Sequence, residues 1–147
     1  MSVHTPVTRP GIYFITFTCH RWLPLIEQTQ GFDLVYNWFG ILANNGHIIN
    51  GYVIMPNHLH LLTYYAGGNQ SLNTIVGNGK RFMAYSIVER LIKQGDNTLL
   101  QTLQAGVTAK DRTRGKKHAI WKDSFDVKEC RTEKFILQKL HYIHNNP

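Results

Sequence analysis

Residues 47–65 read HIINGYVIMPNHLHLLTYY, which is two apolar runs separated by a Pro-Asn pair. Because Pro-Asn is typical of turns, this stretch predicts a β-hairpin. Successive side chains of a strand point to opposite faces, so His58 and His60 lie on one face of the second strand. Two neutral imidazoles side by side form half of a metal site. The hairpin therefore predicts a sheet and a candidate metal position beside its turn.

The whole chain has the composition of one folded domain. Its 147 residues are 43% hydrophobic and 12% aromatic, so we expect a single domain spanning residues 1–147. No apolar run reaches the roughly 18 residues of a membrane-spanning helix, and residues 1–11 lack a signal-peptide pattern. We therefore expect a cytoplasmic protein without a membrane partner, in which the isolated Cys19 and Cys130 are reduced thiols.

The charge is distributed unevenly along the chain. All of the net charge of +7 lies in residues 80–147. A basic segment can simply solvate a surface, or it can bind a polyanion. The second interpretation gains from a cluster that could neutralise several phosphates. The cluster consists of Lys110, Arg112, Arg114, Lys116 and Lys117.

Hydrophobic periodicity and turn residues define the other elements. They are a strand at 12–19, a helix at about 31–45, a helix at about 71–94, an edge strand at 119–127 and a helix from about Glu133, after a candidate cap at Thr132, to Pro147. With the hairpin, the order is β, α, β, β, α, β, α. The expected fold class is α+β, with a ferredoxin-like antiparallel sheet and an additional C-terminal helix. In that topology the histidine-bearing strand is central and the final helix can pack near it.

Two segments are less regular than the rest. Gly77-Asn78-Gly79 interrupts the apolar stripe of the second long helix, so this helix either begins late at Lys80 or is kinked. Residues 95–118 contain few core candidates and are interpreted as a long, mobile basic loop with at most one helical turn. Loops of this length within a domain are usually functional or disordered.

The final helix carries chemistry on one flank. Tyr142 and Asn146 are one turn apart, so their side chains project together. A tyrosine hydroxyl can act as a nucleophile, and an amide oxygen can bind a hard cation. Each residue also has a structural interpretation, because a helix tyrosine is commonly a packing residue and Asn-Asn-Pro is an ordinary helix end.

Together these motifs resemble the single-tyrosine HUH transposases of insertion sequences and repeat elements. The resemblance runs from about Gly11 to the end of the chain and is carried by MPNHLHLL, KRFMAYSIVERL, IWKDSF and KLHYIHNNP. It implies that His58 and His60 bind a divalent metal, that Tyr142 is the catalytic nucleophile and that Asn146 completes the metal site. Imidazoles, an amide and phosphate oxygens suit Mg²⁺ or Mn²⁺ better than zinc.

The resemblance also implies a reaction and a DNA partner. The expected enzyme is an endonuclease and strand transferase that cleaves and rejoins single-stranded DNA through a 5'-phosphotyrosine, at element ends marked by hairpins. Relatives of this kind include monomers and dimers, so a homodimer is allowed. The candidate DNA-binding residues are Lys80, Arg81, Lys110, Arg112, Arg114, Lys116, Lys117 and Lys122. Two alternatives remain open: a ferredoxin-like nucleic-acid-binding module without catalysis, and a metal-dependent phosphodiesterase that uses water.

Overall fold

The computed structural model describes residues 5–123 and 125–145, and within them the fold is α+β. Four antiparallel strands form one open sheet in the order β2-β3-β1-β4. The strands are β1 (Gly11–Thr18), β2 (Ile48–Met55), β3 (His58–Tyr65) and β4 (Asp126–Glu129). The helices are α1 (Leu25–Gln28), α2 (Phe32–Asn44), α3 (Leu72–Gln94), α4 (Asn97–Ala105), α5 (Ala109–Thr113) and α6 (Glu133–Asn145). Among the described residues, no helix is both long enough and apolar enough to cross a membrane.

The predicted hairpin is confirmed, and its second strand lies in the middle of the sheet. β3 pairs with β2 on one side and with β1 on the other. The register places Thr16 opposite His60 and Thr18 opposite His58. The central position predicted for the histidine-bearing strand is therefore correct.

The two faces of the sheet are covered by different helices. On one face, Ile15 and Phe17 join a large core cluster that includes Trp38 of α2 and Met83 of α3. On the other face, α6 covers a smaller cluster built on Phe14, Leu62, Cys130 and Ile143. Because side chains alternate along β1 and β3, neighbouring residues of one strand serve both clusters. The histidines face the side covered by α6.

The helix α3 begins at Leu72, so the late start at Lys80, one of the two alternatives for this helix, is wrong. The hydroxyl of Ser71 accepts a hydrogen bond from the backbone N–H of Thr74 and caps the helix. Packing explains why residue 79 is a glycine, because a β-carbon there would stand 2.4 Å from Nε1 of Trp38. The glycine lets α2 and α3 approach each other closely.

Residues 95–118 contain two helices, which corrects the expectation of a loop. Asp96 caps α4 by accepting from the backbone N–H of Leu99, and Thr108 caps α5 in the same way. Leu103 of α4 is fully buried, and its carbonyl accepts a hydrogen bond from Ala119. This burial anchors α4 to the domain. The mobility expected of the segment stays a prediction.

The edge strand predicted at 119–127 is displaced. Trp121 forms only an isolated bridge with Cys19, and β4 begins at Asp126, pairing with residues 13–16. The indole of Trp121 is buried and donates to the carbonyl of Lys80, so this residue docks onto α3. The final helix α6 begins as predicted, with the Thr132 hydroxyl accepting from the N–H of Phe135.

Candidate active site

His58 and His60 lie side by side at the start of β3. Their ring centroids are 4.8 Å apart and the ring planes meet at 74°. His60 is buried, whereas His58 is half-buried beside the turn. The alternation of the strand places both rings on the face covered by α6, as the sequence predicted.

Each imidazole is held through its Nδ1 atom. Nδ1 of His58 lies 2.7 Å from Oδ1 of Asn57, and Nδ1 of His60 lies 2.7 Å from the hydroxyl of Thr16. A carbonyl oxygen can only accept, so His58 carries its proton on Nδ1 and presents an unprotonated Nε2. Within residues 5–123 and 125–145, neither Nε2 has a hydrogen-bond partner. Histidines that bind a metal through one ring nitrogen usually have the other nitrogen held by a hydrogen bond to a second group, and both rings have such a bond here.

The environment keeps both rings neutral. Burial, followed by the charges of His58 and Lys139, lowers the pKa of His60 to about 4. Burial also lowers the pKa of His58 below its usual range. A neutral imidazole is the form that binds metal, so the pair is ready to do so at neutral pH.

Tyr142 lies next to this pair, although it is distant in sequence. Its ring centroid is 5.2 Å from that of His60 and 6.2 Å from that of Phe14, and both contacts are edge-on. The residue remains 48% exposed, so a large substrate can approach its side chain. Its neighbour Ile143 is buried and anchors this turn of α6 to the sheet.

Gly51 of β2 allows α6 to come close to the sheet. A β-carbon at this position would be 2.9 Å from Cδ2 of Leu140 and 3.7 Å from Cδ1 of Ile143. Cδ2 of Leu140 is the end of a flexible side chain and can shift to admit a β-carbon, whereas a bulkier side chain would press on both Leu140 and Ile143 of α6. A bulky side chain at this position is therefore expected to increase the distance between Tyr142 and the histidines.

Lys139 is a cation at the site that the sequence analysis did not identify. Its Nζ atom is 4.8 Å from the ring centroid of Phe14, 5.1 Å from that of Phe135 and 6.0 Å from that of Tyr142. Cations at such distances are attracted to aromatic faces. The available sequence signal was its position three residues before Tyr142, which places both on one helix face.

The residues present fit half of a divalent metal site. His58 offers an unprotonated Nε2 and His60 an imidazole held at Nδ1 by the Thr16 hydroxyl, while the described residues contain no group of three His, Cys, Asp or Glu side chains suited to hold a metal. Asn146, the predicted third ligand, lies outside the described residues. Two nitrogen ligands leave several positions for water and phosphate oxygens, as Mg²⁺ and Mn²⁺ accept.

Lys122 is connected to the histidine pair through Trp22, and Lys80 is connected to Lys122 by a hydrogen bond. The ring of Trp22 meets that of His58 at 6.3 Å, and the ammonium of Lys122 lies 4.8 Å from the Trp22 centroid. Lys80 points inward instead, since its ammonium donates to the carbonyl of Lys122 and burial lowers its pKa to about 8. Lys122 is thus exposed beside Trp22, whereas Lys80 is directed inward and holds the backbone carbonyl of Lys122.

The other predicted DNA-binding residues are on the surface. Arg81 is exposed on α3 and donates to Asn78. The basic cluster Lys110, Arg112, Arg114, Lys116 and Lys117 is exposed on and after α5. After burial, the charge of Lys116 is the next cause of the low pKa of Lys80, so this end of the cluster lies within electrostatic range of Lys80 in α3. The structure therefore brings Lys116 towards Lys80.

The sequence and the fold were compared with those of known proteins. No protein-family model matches the sequence. An uncharacterized protein of Haemophilus influenzae is 28% identical over 150 residues, covering 93% of this chain and 80% of that protein. The structure of a REP-associated tyrosine transposase bound to a REP hairpin is similar with a TM-score of 0.66 and 19% identity, covering 100% of this chain and 73% of that one. A candidate transposase from Deinococcus radiodurans R1 gives a TM-score of 0.47 and 16% identity, covering 99% and 97%.

The comparison at a TM-score of 0.66 defines the fold of this chain. Its sheet and helices are arranged like those of a tyrosine transposase along its whole length. At 19% identity, the likeness concerns the fold and does not by itself assign an activity.

Proposed function

We propose that this protein is a single-tyrosine HUH transposase with a ferredoxin-like core. The observation that carries the proposal is the meeting of Tyr142 with the histidine pair. An exposed tyrosine ring stands 5.2 Å from His60, and His60 is 4.8 Å from His58. These residues belong to two elements far apart in sequence, and each has the chemistry that the resemblance requires of it.

The proposed reaction is a transesterification at a phosphate of single-stranded DNA. The Tyr142 oxygen attacks phosphorus and forms a Tyr–O–P bond, the P–O3' bond breaks, and the tyrosine proton passes to solvent while the leaving oxygen gains one. The products are a 5'-phosphotyrosine and a free 3'-hydroxyl. A 3'-hydroxyl can later attack the linkage, which returns the oxygen to tyrosine and rejoins the strand. Since one phosphoester replaces another, no ATP is needed.

His58 and His60 would hold a divalent metal, Mn²⁺ or Mg²⁺, with Asn146 as a proposed third ligand. When bound, such a metal polarises the phosphate and aligns it for attack. This assistance matters because a tyrosine hydroxyl, with an ordinary pKa of about 10, is a poor nucleophile at neutral pH. Thr16 and Asn57 fix the imidazoles so that their Nε2 atoms can face the metal.

The proposed substrate is single-stranded DNA next to a hairpin. Lys122, Arg81 and the basic cluster provide positive charge on the surface, and phosphate contacts of this kind position a strand without reading its sequence. The structurally similar REP-associated transposase is itself bound to a hairpin. Because the family that this chain resembles includes both monomers and dimers, a homodimer stays a prediction.

The test is a search for the covalent intermediate. The protein is incubated with Mn²⁺ and single-stranded DNA that carries the hairpin ends of the element, then denatured and analysed by mass spectrometry. We expect a DNA adduct on Tyr142 that survives denaturation and requires metal. Tyr142→Phe should abolish it, and His60→Ala should reduce it strongly. Tyr85→Phe is the matched control, because Tyr85 is 64% exposed on α3 and outside the site.

The alternatives predict different results. A water-using phosphodiesterase would still cleave DNA as Tyr142→Phe, and it would form no adduct. A binding module would bind DNA without cleaving it under any metal condition. If no adduct forms on hairpin DNA, including the element's own ends, the transposase proposal is wrong.

A further inference from the structure

Trp22 is an exposed aromatic residue at the edge of the candidate site. It ends a short turn, His20–Trp22, that follows β1 after Cys19, and the residue is 56% exposed. Its ring stands edge-on to His58 with centroids 6.3 Å apart. The ammonium of Lys122 lies 4.8 Å from the indole centroid. A large aromatic surface is thus presented to solvent between a candidate metal ligand and an exposed cation.

The backbone holds Trp22 in an unfavourable conformation. Arg21 and Trp22 have φ angles of 54° and 59°, in the left-handed region that residues with a side chain rarely adopt. Such conformations cost free energy and persist only where the surrounding structure enforces them. Trp22 is nevertheless 56% exposed, so burial of its ring does not offset this cost.

Asn57 ties this ring to the candidate metal site. Its side-chain amide donates to the carbonyl of Trp22 at 3.3 Å, while its Oδ1 atom accepts from Nδ1 of His58 at 2.7 Å. The backbone carbonyl of Asn57 also accepts from the N–H of Cys19 at 2.8 Å. One residue therefore fixes both the orientation of His58 and the turn that carries Trp22.

Lys122 is fixed from the other side. Its backbone N–H donates to the carbonyl of Thr18 at 2.9 Å, and its carbonyl accepts from the ammonium of Lys80 at 3.2 Å. The cation and the indole are consequently positioned by separate elements that both pack against the main core.

We propose that Trp22 is the stacking platform for an unpaired DNA base next to the phosphate attacked by Tyr142, with Lys122 contacting the backbone of that nucleotide. This inference rests on the proposed function. An aromatic face stacks on any base, because every base has a π-face, so the subsite selects unpaired nucleotides and not a sequence. Holding the base fixes the position of the adjoining phosphate relative to the histidines.

The test measures binding without cleavage. Fluorescence anisotropy in EDTA compares a labelled oligothymidylate with an abasic chain of the same length, which carries the same phosphates and no bases. Wild-type protein should bind the oligothymidylate more tightly. Trp22→Gly removes the ring and adopts the positive φ without strain, so the turn is retained. We expect this variant to lose roughly 5- to 150-fold in affinity for the oligothymidylate and little for the abasic chain.

Two further variants complete the test. Trp22→Phe keeps a smaller stacking face and should lose less affinity than Trp22→Gly. Tyr85→Ala removes another exposed aromatic side chain, on α3, and should bind as wild type does. Equal affinity of wild type for the two chains would overturn the stacking proposal. So would a Trp22→Gly variant that keeps its affinity for the oligothymidylate or weakens equally on both chains.

The result is separable from that of the adduct experiment. Anisotropy in EDTA needs neither metal nor chemistry, so a missing adduct with base-dependent binding through Trp22 would reject only the transposase reaction. An adduct on Tyr142 together with unchanged binding by Trp22→Gly would reject only the stacking subsite.

Discussion

Two glycines of α3 should respond to the same substitution with opposite signs. Gly77 is exposed, and a β-carbon added there meets no atom within 4 Å. Gly79 is buried against α2, where an added β-carbon would stand 2.4, 2.6 and 2.8 Å from three indole atoms of Trp38. The indole is itself buried and contacts Phe17 edge-on at 5.8 Å, so it has little room to move.

The magnitudes follow from two opposing effects. Alanine in a helix interior is favoured over glycine by about 1 kcal/mol, so Gly77→Ala should stabilise the protein by that amount. Gly79→Ala gains the same preference, but overpacking a core with a rigid ring as neighbour costs about 3 kcal/mol at the upper end. The net destabilisation is then about 2 kcal/mol, and the two variants should differ by about 3 kcal/mol.

Urea unfolding followed by far-UV circular dichroism measures this difference. If the slope of the unfolding free energy against urea concentration is unchanged, the urea concentration at the unfolding midpoint should rise for Gly77→Ala and fall for Gly79→Ala. Stabilisation of both variants would refute the close contact between α2 and α3. Destabilisation of both would refute the continuous helix across this segment.

Three more predictions concern the site. Thr16→Val deletes the hydroxyl 2.7 Å from Nδ1 of His60, so the Mn²⁺ concentration for half-maximal adduct formation should rise roughly 10- to 100-fold, while Thr16→Ser should stay near wild type. Gly51→Val should push α6 away from the sheet and lower adduct formation by up to about 100-fold, because small displacements of reacting groups are that costly. The free energy of unfolding should fall as pH is lowered from 6.5 towards 4. In this range His60 binds a proton in the unfolded chain, where its pKa is about 6.5, but stays neutral in the folded protein, where burial lowers its pKa to about 4. Urea unfolding across this pH range should show a smaller fall in His60→Gln.

The elements predicted correctly are those with strong local signals. The hairpin has an apolar run on each side of its turn, and α2 and α3 show helical spacing of apolar residues. The helices α4 and α5 were missed because they are short and only Leu103 among their residues is buried. Their caps, Asp96 and Thr108, were nevertheless present in the sequence as signals.

The surroundings of the candidate site depend on long-range pairing. Thr16 reaches His60 only because β1 and β3 pair in one register, and no local pattern specifies that register. Trp22 reaches His58 through a turn with positive φ at residues that are not glycine, which sequence reasoning does not anticipate. The histidine pair itself needed only the alternation of a strand.

The two hydrophobic clusters have different roles: the larger one stabilises the fold, and the smaller one positions α6. The large cluster, between the sheet and helices α2 and α3, contains most of the fully buried side chains of the described residues, while α6 is held by the smaller cluster around Phe14 and Ile143. Hydrophobic stabilisation grows with buried apolar area, so the fold should depend mainly on the first cluster. The histidines belong to the sheet shared by both clusters, whereas Tyr142 belongs to the helix held by the smaller one. Changes at the α6 contact, such as those at Gly51, should therefore move the tyrosine relative to the histidines before they unfold the domain.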